Sequence, residues 1–223
     1  MDPHESDLYE RLRQAILDGD YAFGSRLKID DIARRFGTSH MPVRKALLQL
    51  AGDRLVIMER NRGASVRAID ADAVRNIYDV VVPLEALLTR RAAEKMTRAT
   101  QAALVEIEQA FEAAAASGDD EAVARLNREF HQVINRQAAN PDASAIVDRY
   151  QEMLRAFRKI FGADPLRLPG VIADHRALLA CFAAGDPDGA AAIASGHAAK
   201  ARSDLARAIN ATAADRPNRQ VDG

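Results

Sequence analysis

The chain has 223 residues, of which 48% are hydrophobic and only 5% aromatic, and its formal net charge is −1. Alanine and leucine supply most of the apolar surface, which indicates packed helices rather than sheets. The balanced charge excludes a uniformly basic nucleic-acid-binding protein, and the single cysteine, Cys181, excludes an intrachain disulfide. No apolar run approaches the ~20 residues of a membrane span, and the acidic N-terminus does not resemble a signal peptide, so we expect a cytoplasmic protein.

The first forty residues predict two short helices. Leu8, Leu12 and Ile16 recur at helical spacing over residues 6–18, before the turn-forming stretch "GDYAFGS". The stretch "KIDDIARRFG" predicts a second helix that ends at Gly37, a residue suited to the left-handed conformation that often follows a helix.

A third helix and a hairpin complete this segment. The helix is expected over residues 40–52, with Pro42 in its first turn, where the missing N–H costs nothing. Two β-like pieces, "LVIME" and "ASVRA", follow and are joined by "RNRG", whose Gly63 permits a tight turn. The order of helix, helix, turn, helix and two-stranded wing predicts a winged helix-turn-helix domain.

The same segment is locally basic. Between Asp31 and Arg67, eight basic residues are opposed by three acids, a local excess of five positive charges. The third helix starts with hydroxyl and cationic side chains, as a DNA recognition helix requires, although a merely solvated charged face is the alternative. We predict DNA contacts from Thr38, Ser39, His40, Arg44, Lys45, Arg62 and Gly63, with Thr38 and Ser39 also capping the helix.

From residue 70 onward the pattern is helical throughout, and no strand pattern interrupts it. The sequence predicts an all-α bundle of about six helices over residues 70–97, 100–116, 119–139, 142–162, 168–184 and 186–211. We therefore predict a mainly α protein with a winged helix-turn-helix domain over residues 1–69, a helical domain over residues 70–212 and a disordered tail over residues 213–223.

Both segments resemble known families. Residues 8–67 resemble the DNA-binding domain of the GntR family of bacterial transcription regulators, through "LRQAILDGDYAFGSRL", "IDDIARRFGTSHMPVRKALLQLAGDRLV" and "NRGASV". The helical segment resembles the FCD ligand-binding domain of the FadR-type branch, in its shorter VanR-like version, through "PLEALLTRRAAEKMT", "LNREFHQVINRQAAN" and "DHRALLACFAAGDPDGAAAIASGH". The resemblance implies a homodimer that binds a palindromic DNA operator and responds to a small organic-acid effector.

The resemblance also assigns roles within the third helix. Arg44 lies where the family usually has an arginine that contacts DNA. At position 40 the family usually has another arginine, and this chain has His40 instead. An imidazole can still donate to a phosphate or to guanine, so the change is expected to alter base preference rather than remove the contact.

Three histidines of the helical segment, His131, His175 and His197, lie on three different predicted helices. His131 follows Asn127 by four residues, which puts both on one helix face. Interior imidazoles from three helices can converge and bind a divalent transition metal, whereas each alone is more often a satisfied core histidine. The resemblance implies a metal site at these positions, with Asn127 where the family usually has aspartate. We expect Zn²⁺, with Ni²⁺ or Mn²⁺ as alternatives.

The residues that would contact an effector depart from the family pattern. Many members of the family carry an arginine that clamps a carboxylate where this chain has Val81. Tyr78, Arg149 and Arg176 are the remaining candidates for effector contact. Two other functions stay open: a sensor for which the metal itself is the signal, and a metal-dependent enzyme with an added DNA-binding domain. No carboxylate is obviously placed as a general base beside the histidines, which argues against the enzyme.

Overall fold

The computed structural model describes residues 3–59, 63–162 and 167–214. This part of the chain is mainly α, as predicted, with one small sheet near the N-terminus. The elements in chain order are α1 (Pro3–Leu17), β1 (Arg26–Leu27), α2 (Ile29–Phe36), α3 (His40–Gly52), β2 (Val56–Glu59), β3 (Gly63–Val66), α4 (Ala71–Glu94), α5 (Arg98–Ser117), α6 (Asp120–Ala138), α7 (Pro141–Phe161), α8 (Leu168–Ala184) and α9 (Pro187–Ala214). Within the described ranges, no helix is both long and apolar enough to cross a membrane.

The helix-turn-helix is formed by α2 and α3. Gly37 ends α2 in the left-handed region at φ 65°, and its N–H donates to the carbonyl oxygen of Ala33. Ser39 occupies the N-cap position of α3, but its side chain makes no capping hydrogen bond. The capping role predicted for Ser39 is therefore wrong, and its hydroxyl is left at the exposed start of α3.

The wing contains one more strand than predicted. β2 and β3 form the expected antiparallel hairpin, in which Val56 lies opposite Val66 and Glu59 opposite Gly63. The two-residue strand β1 pairs with the other edge of β3, giving the strand order β1-β3-β2. A strand of two residues is too short to show the alternation from which strands are predicted.

The helical segment begins at α4, and its first four helices start where a short polar side chain accepts from the backbone. Asp70, Thr97, Asp119 and Asn140 each accept a hydrogen bond from the backbone N–H three residues ahead. α4 packs most extensively against α9, α6 packs against α4, α8 packs against α9, and α5 packs against α6 and α8. α9 extends to Ala214, beyond the predicted boundary at residue 212, and the rest of the predicted tail lies outside the described residues.

One apolar core joins the winged helix to the helical segment. It includes Leu12 and Ile16 from α1 together with Phe157 from α7. The rings of Phe23 and Phe157 meet edge to face at 5.3 Å between centroids. Arg13 of α1 forms a two-pronged ion pair with Glu152 of α7, with 2.7 Å between Nη1 and Oε1. α7 thus contacts the winged-helix segment directly, through an apolar core to which α4 and α9 also contribute.

Candidate DNA interface and metal centre

The N-terminal end of α3 presents an exposed polar surface. Thr38, Ser39, His40, Met41 and Arg44 line one shallow concavity there. The residues that anchor α3 from behind are fully buried: Val43, Ala46, Leu47 and Leu50. Burial of the apolar stripe thus fixes the orientation in which the opposite stripe faces outward, as a recognition helix requires.

The basic side chains of this surface differ in their exposure and contacts. Arg44 and Lys45 are exposed on α3. The Nε2 atom of His40 lies 2.9 Å from Oδ1 of Asp30 on α2, so an acid orients this imidazole. Met41, whose side chain is 63% exposed, belongs to the same surface and was not predicted as a site residue. Met41 is a candidate for DNA contact because it is exposed at the start of α3, where an apolar side chain can contact a thymine methyl group.

The tip of the wing is only partly described. Gly63 is exposed and adopts φ 91°, in the left-handed region that favours glycine, as the predicted tight turn requires. Arg62, the other predicted wing contact, lies outside the described residues.

The three histidines of the helical segment come together as the sequence predicts. One ligand atom each from His131 on α6, His175 on α8 and His197 on α9 lies within 4.8 Å of the others. His175 and His197 are buried, and His131 is half-buried. The ring of His175 stacks on Phe130 at 4.2 Å between centroids, which fixes its plane.

Two carboxylates that sequence interpretation missed orient two of these rings. The Nδ1 atom of His175 lies 2.7 Å from Oε2 of Glu108, and both side chains are buried. The Nδ1 atom of His197 lies 3.2 Å from Oδ2 of Asp174, which also accepts from Lys200. A carboxylate on Nδ1 fixes the tautomer in which Nε2 keeps its lone pair, the arrangement that supports metal-binding histidines.

The electrostatics keep two of the imidazoles neutral. Burial lowers the pKa of His131 well below its usual value, and neighbouring His197 and His175 lower it further. Burial also lowers the pKa of His197, although the hydrogen bond that His197 donates to Asp174 acts in the opposite direction. That hydrogen bond in turn lowers the pKa of Asp174 to about 2. A neutral imidazole with a free nitrogen is the form that binds a metal ion.

Asn127, the fourth predicted metal ligand, lies one helical turn before His131 on α6 and is half-buried. This spacing keeps both side chains on the same face of the helix. An amide oxygen there can add a neutral ligand to the three imidazoles.

The residues predicted to contact an effector are separated by the fold. Tyr78 is completely buried on α4, and its hydroxyl accepts from Arg158 at 2.5 Å. Arg149 instead points at the winged helix, where Nη1 lies 3.5 Å from Oδ1 of Asp53. Arg176 lies on the outer surface, where it makes two hydrogen bonds of 2.7 Å to Glu112. The structure therefore places only Tyr78 on an inward-facing surface.

Two other arginines, whose charges act on the histidine cluster, were missed by sequence interpretation. The charges of Arg158 on α7 and Arg167 at the start of α8 both lower the pKa of His131. Burial, and then the neighbouring Arg158, lower the pKa of Arg167, whose Nε lies 3.1 Å from Oδ2 of Asp204. Partly buried positive charge near the neutral imidazoles favours an anionic ligand over a cationic one.

The charges of the same two arginines also act on Glu85 of α4. It is half-buried, and its Oε1 accepts from Nε2 of Gln151 at 2.5 Å. Burial raises the pKa of Glu85 to about 7, although Gln151, Arg158 and Arg167 all oppose that rise. This carboxyl group is therefore partly protonated near neutral pH, unlike an ordinary surface glutamate.

The Glu85→Gln variant is expected to lose less stability than the wild type as the pH rises from about 4.5 to about 7. Because the pKa of Glu85 is 4.5 when unperturbed and about 7 in the fold, the folded protein binds more protons across this window. Wild-type stability therefore falls as pH rises through the window, by about 2–3 kcal/mol relative to the variant. Urea unfolding midpoints across the same pH window measure the difference.

Glu106→Gln, a change at an exposed position of α5, is the control for that experiment. It should follow the wild-type pH profile, because its side chain is already solvated. Parallel profiles for wild type and Glu85→Gln would contradict the raised pKa of Glu85.

Comparison with known proteins agrees with this geometry. Residues 5–66 match the family described as bacterial regulatory proteins, gntR family, and residues 76–200 match the FCD domain family. The galactonate operon transcriptional repressor of Escherichia coli (strain K12) is 28% identical over 201 residues, which cover 80% of this chain and 86% of that protein. The uncharacterised HTH-type transcriptional regulator YdhC of Bacillus subtilis is 24% identical over 175 residues, 78% of each chain.

Solved structures show the same fold. The McbR/YncC structure from E. coli superposes with a TM-score of 0.71 at 22% identity, covering 93% of this chain and 99% of that one. A GntR regulator structure from Rhodococcus sp. RHA1 gives a TM-score of 0.67 at 20% identity, covering 92% and 98%. These names describe regulators rather than enzymes. The chain belongs to the GntR family of bacterial transcription regulators, with a GntR-type DNA-binding domain followed by an FCD domain.

Proposed function

We propose that this regulator binds a divalent metal, most favourably Zn²⁺, at His131, His175 and His197, and that the metal helps to hold a small carboxylate effector. Effector binding changes the affinity of a homodimer for a palindromic operator. Such a protein acts where the chromosome is, in the cytoplasm.

One observation carries the metal proposal. The Nε2 atom of His175 is buried and has no hydrogen-bond partner among the described residues. A satisfied core histidine would not leave a buried nitrogen unpaired, because that costs about 1–3 kcal/mol. A metal ion would accept this lone pair together with those of His131 and His197. Nitrogens bound to one zinc lie roughly 3–3.5 Å apart, so the observed cluster needs only small side-chain shifts.

The charge of the protein ligands also determines which further ligand the metal would bind. Three neutral imidazoles and the amide of Asn127 would leave the ion with its full double positive charge. Imidazole ligands suit Zn²⁺ and Ni²⁺ better than Mg²⁺ or Ca²⁺, which prefer oxygen. An anion on an open coordination position is then strongly favoured, and the positive charges of Arg158 and Arg167, which already act on His131, favour it further.

α7 offers the path from this site to the DNA-binding domain. Gln151 and Arg158 of α7 donate to Glu85 and Tyr78 of α4, and Glu152 of the same helix pairs with Arg13 of α1. Lys159, also on α7, reaches Asp18 at 3.0 Å. A small shift of α7 on effector binding would therefore change the position of the winged helix. Such a shift would couple effector binding to DNA binding energetically.

The homodimer proposal follows from the DNA geometry of such domains. One recognition helix reads only a half-site, and two symmetric copies read a palindrome about one helical turn apart. The exposed Val80 and Leu87 on α4, two turns apart on one face, are apolar surface that a second copy could cover.

The test combines metal content with operator binding. A duplex is selected from a random library with the zinc-loaded protein, and its affinity is then measured for zinc-loaded and chelated protein, with and without organic acids. We expect an acid to change operator affinity about 5- to 150-fold, and only when zinc is bound.

Other outcomes would favour other functions. Operator binding that follows free metal with no acid present would support the metal sensor. Equal responses of the zinc-loaded and chelated proteins to an acid would contradict a role for the metal in holding the effector.

A further inference from the structure

We propose that Met41 and Leu48 of α3 are specificity-determining residues of the DNA interface, and that they contact the methyl groups of two thymines in the operator. This inference goes beyond the proposed metal and effector sites and depends on neither of them. It names the base edges that this recognition helix selects.

Met41 and Leu48 are the most exposed large apolar side chains in the described ranges. Met41 is 63% exposed and Leu48 is 60% exposed, whereas the next in order, Ile57, reaches 48%. A single exposed apolar residue needs no explanation, but these two lie on one helix, about two turns apart. Their shared position indicates a surface that a binding partner covers.

Both side chains lie at the centre of the outward face of α3. The buried stripe of this helix consists of Val43, Ala46, Leu47 and Leu50. At about 100° per residue, Met41 and Leu48 both point within about 30° of the direction opposite that stripe. Arg44 and Lys45 lie between them along the helix and are also exposed. The apolar pair is therefore continuous with the basic surface that faces DNA.

The basic side chains on this face indicate which partner covers it. A second copy of α3 would bring Arg44 and Lys45 against the same two residues of the other copy, and like charges at short range repel each other. Duplex DNA carries the opposite charge on its phosphates. The basic side chains thus select a polyanion, and the apolar side chains on the same face enter the groove with them.

The chemistry of the major groove identifies the group that these side chains contact. Base edges there present hydrogen-bond donors and acceptors, and the thymine methyl is the apolar group among them. A thioether or an alkyl side chain that displaces water from a polar edge leaves that edge without a partner, which makes the contact unfavourable. Two thymine methyl groups are therefore the favoured partners of Met41 and Leu48.

The length of helix between the two residues predicts the spacing of the thymines. Leu48 follows Met41 by two helical turns, a distance of about 10.5 Å along the helix axis. This distance corresponds to about three base-pair steps when the helix follows the groove. We therefore expect the two thymines about three base pairs apart.

The experiment removes single methyl groups from the DNA. An operator is selected from a random library with the full-length protein, and each of its thymines is then replaced in turn by deoxyuridine, which lacks only the methyl group. Fluorescence anisotropy measures the affinity of each duplex. For each bound recognition helix, we expect a loss of about 3- to 5-fold at two positions, the value for one buried methyl group, and almost none elsewhere.

Variants of the protein assign each methyl group to a side chain. Met41→Ala should abolish the loss at one position and Leu48→Ala at the other. Met41→Leu, which stays apolar, should keep most of the sensitivity. Val105→Ala, an apolar-to-alanine change on the exposed surface of α5, is the matched control and should keep both losses. Uracil also alters the shape of the duplex slightly, but that effect is the same for every variant and cancels in the comparison.

The possible contrary results are separable. An operator whose thymines can all be replaced by uracil without loss would exclude contact with methyl groups. A loss that survives both Met41→Ala and Leu48→Ala would exclude these side chains as its cause, and a loss removed by one variant alone would exclude the other residue. Because both side chains are exposed, we expect the variants to fold, and circular dichroism checks that they do.

Discussion

Replacing His175 with alanine is expected to weaken zinc binding by at least about 100-fold, because this ligand has the most fixed geometry of the three. Its Nδ1 is held by Glu108, its ring is stacked on Phe130, and its Nε2 is buried without a partner in the described structure. Zinc retained after dialysis, and competition with a chelator, measure the change. A weaker effect, about 10- to 100-fold, is expected for Glu108→Gln, which keeps an acceptor for Nδ1 but removes its charge.

The matched control is His40→Ala. His40 is exposed on the recognition helix, far in sequence from the cluster, and pairs with Asp30. Its removal should leave zinc binding unchanged. His175→Ala also leaves the buried carboxylate of Glu108 without its partner and could destabilise the fold. Thermal unfolding of the metal-free variant must therefore be compared with that of the metal-free wild type. A folded His175→Ala variant that binds zinc as tightly as the wild type would exclude the three-histidine site.

Helix ends were predictable because their signals are local. Gly37, Gly118 and Gly185 follow their helices with positive φ, and Asn140 caps a helix whose first residue is a proline. Each of these signals depends on a few neighbouring residues. β1 could not be predicted, because its two residues form a strand only by pairing with β3, more than thirty-five positions later.

The histidine cluster was predictable in outline but not in its supporting residues. His175 lies on an apolar stripe of α8 with Val171, Leu178 and Phe182, so an interior position could be inferred from the periodicity. Glu108 gives a comparable signal, since it is the one charged residue among the buried positions of α5. A lone acid on an apolar helix face needs a buried partner, and that rule marks Glu108 as a candidate from the helical periodicity alone.

The residues that would contact the effector were harder to predict. Helical periodicity shows that a helix face is buried but does not show which neighbouring element covers it. α7 has two covered faces. Arg149 lies toward the winged helix and pairs with Asp53, whereas Arg158 lies toward α4 and donates to Tyr78. Only the packing of α7 between the two domains separates these roles, and that packing depends on contacts such as Phe23 with Phe157.

Arg44→Ala is expected to weaken operator binding by about 1–3 kcal/mol while the FCD domain stays folded and binds zinc normally. Arg44 is exposed beside His40 and Met41 on the surface of α3 that the buried face holds outward. If its guanidinium contacts a base, the variant relaxes specificity at one operator position. If it contacts a phosphate, affinity falls evenly across sequences and the salt dependence becomes shallower by about one counterion. Fluorescence anisotropy at several salt concentrations separates the two cases.

Arg98→Ala provides the control, because it removes the same charge from an exposed position at the start of α5 in the FCD domain. The total charge of the two variants is identical, so long-range attraction to DNA falls by a similar amount in both. A contact made by Arg44 itself predicts a clear loss for Arg44→Ala and almost none for Arg98→Ala. Equal affinities of the two variants would mean that α3 does not use Arg44 to contact DNA. His40 and Lys45 would then be the candidates for that contact.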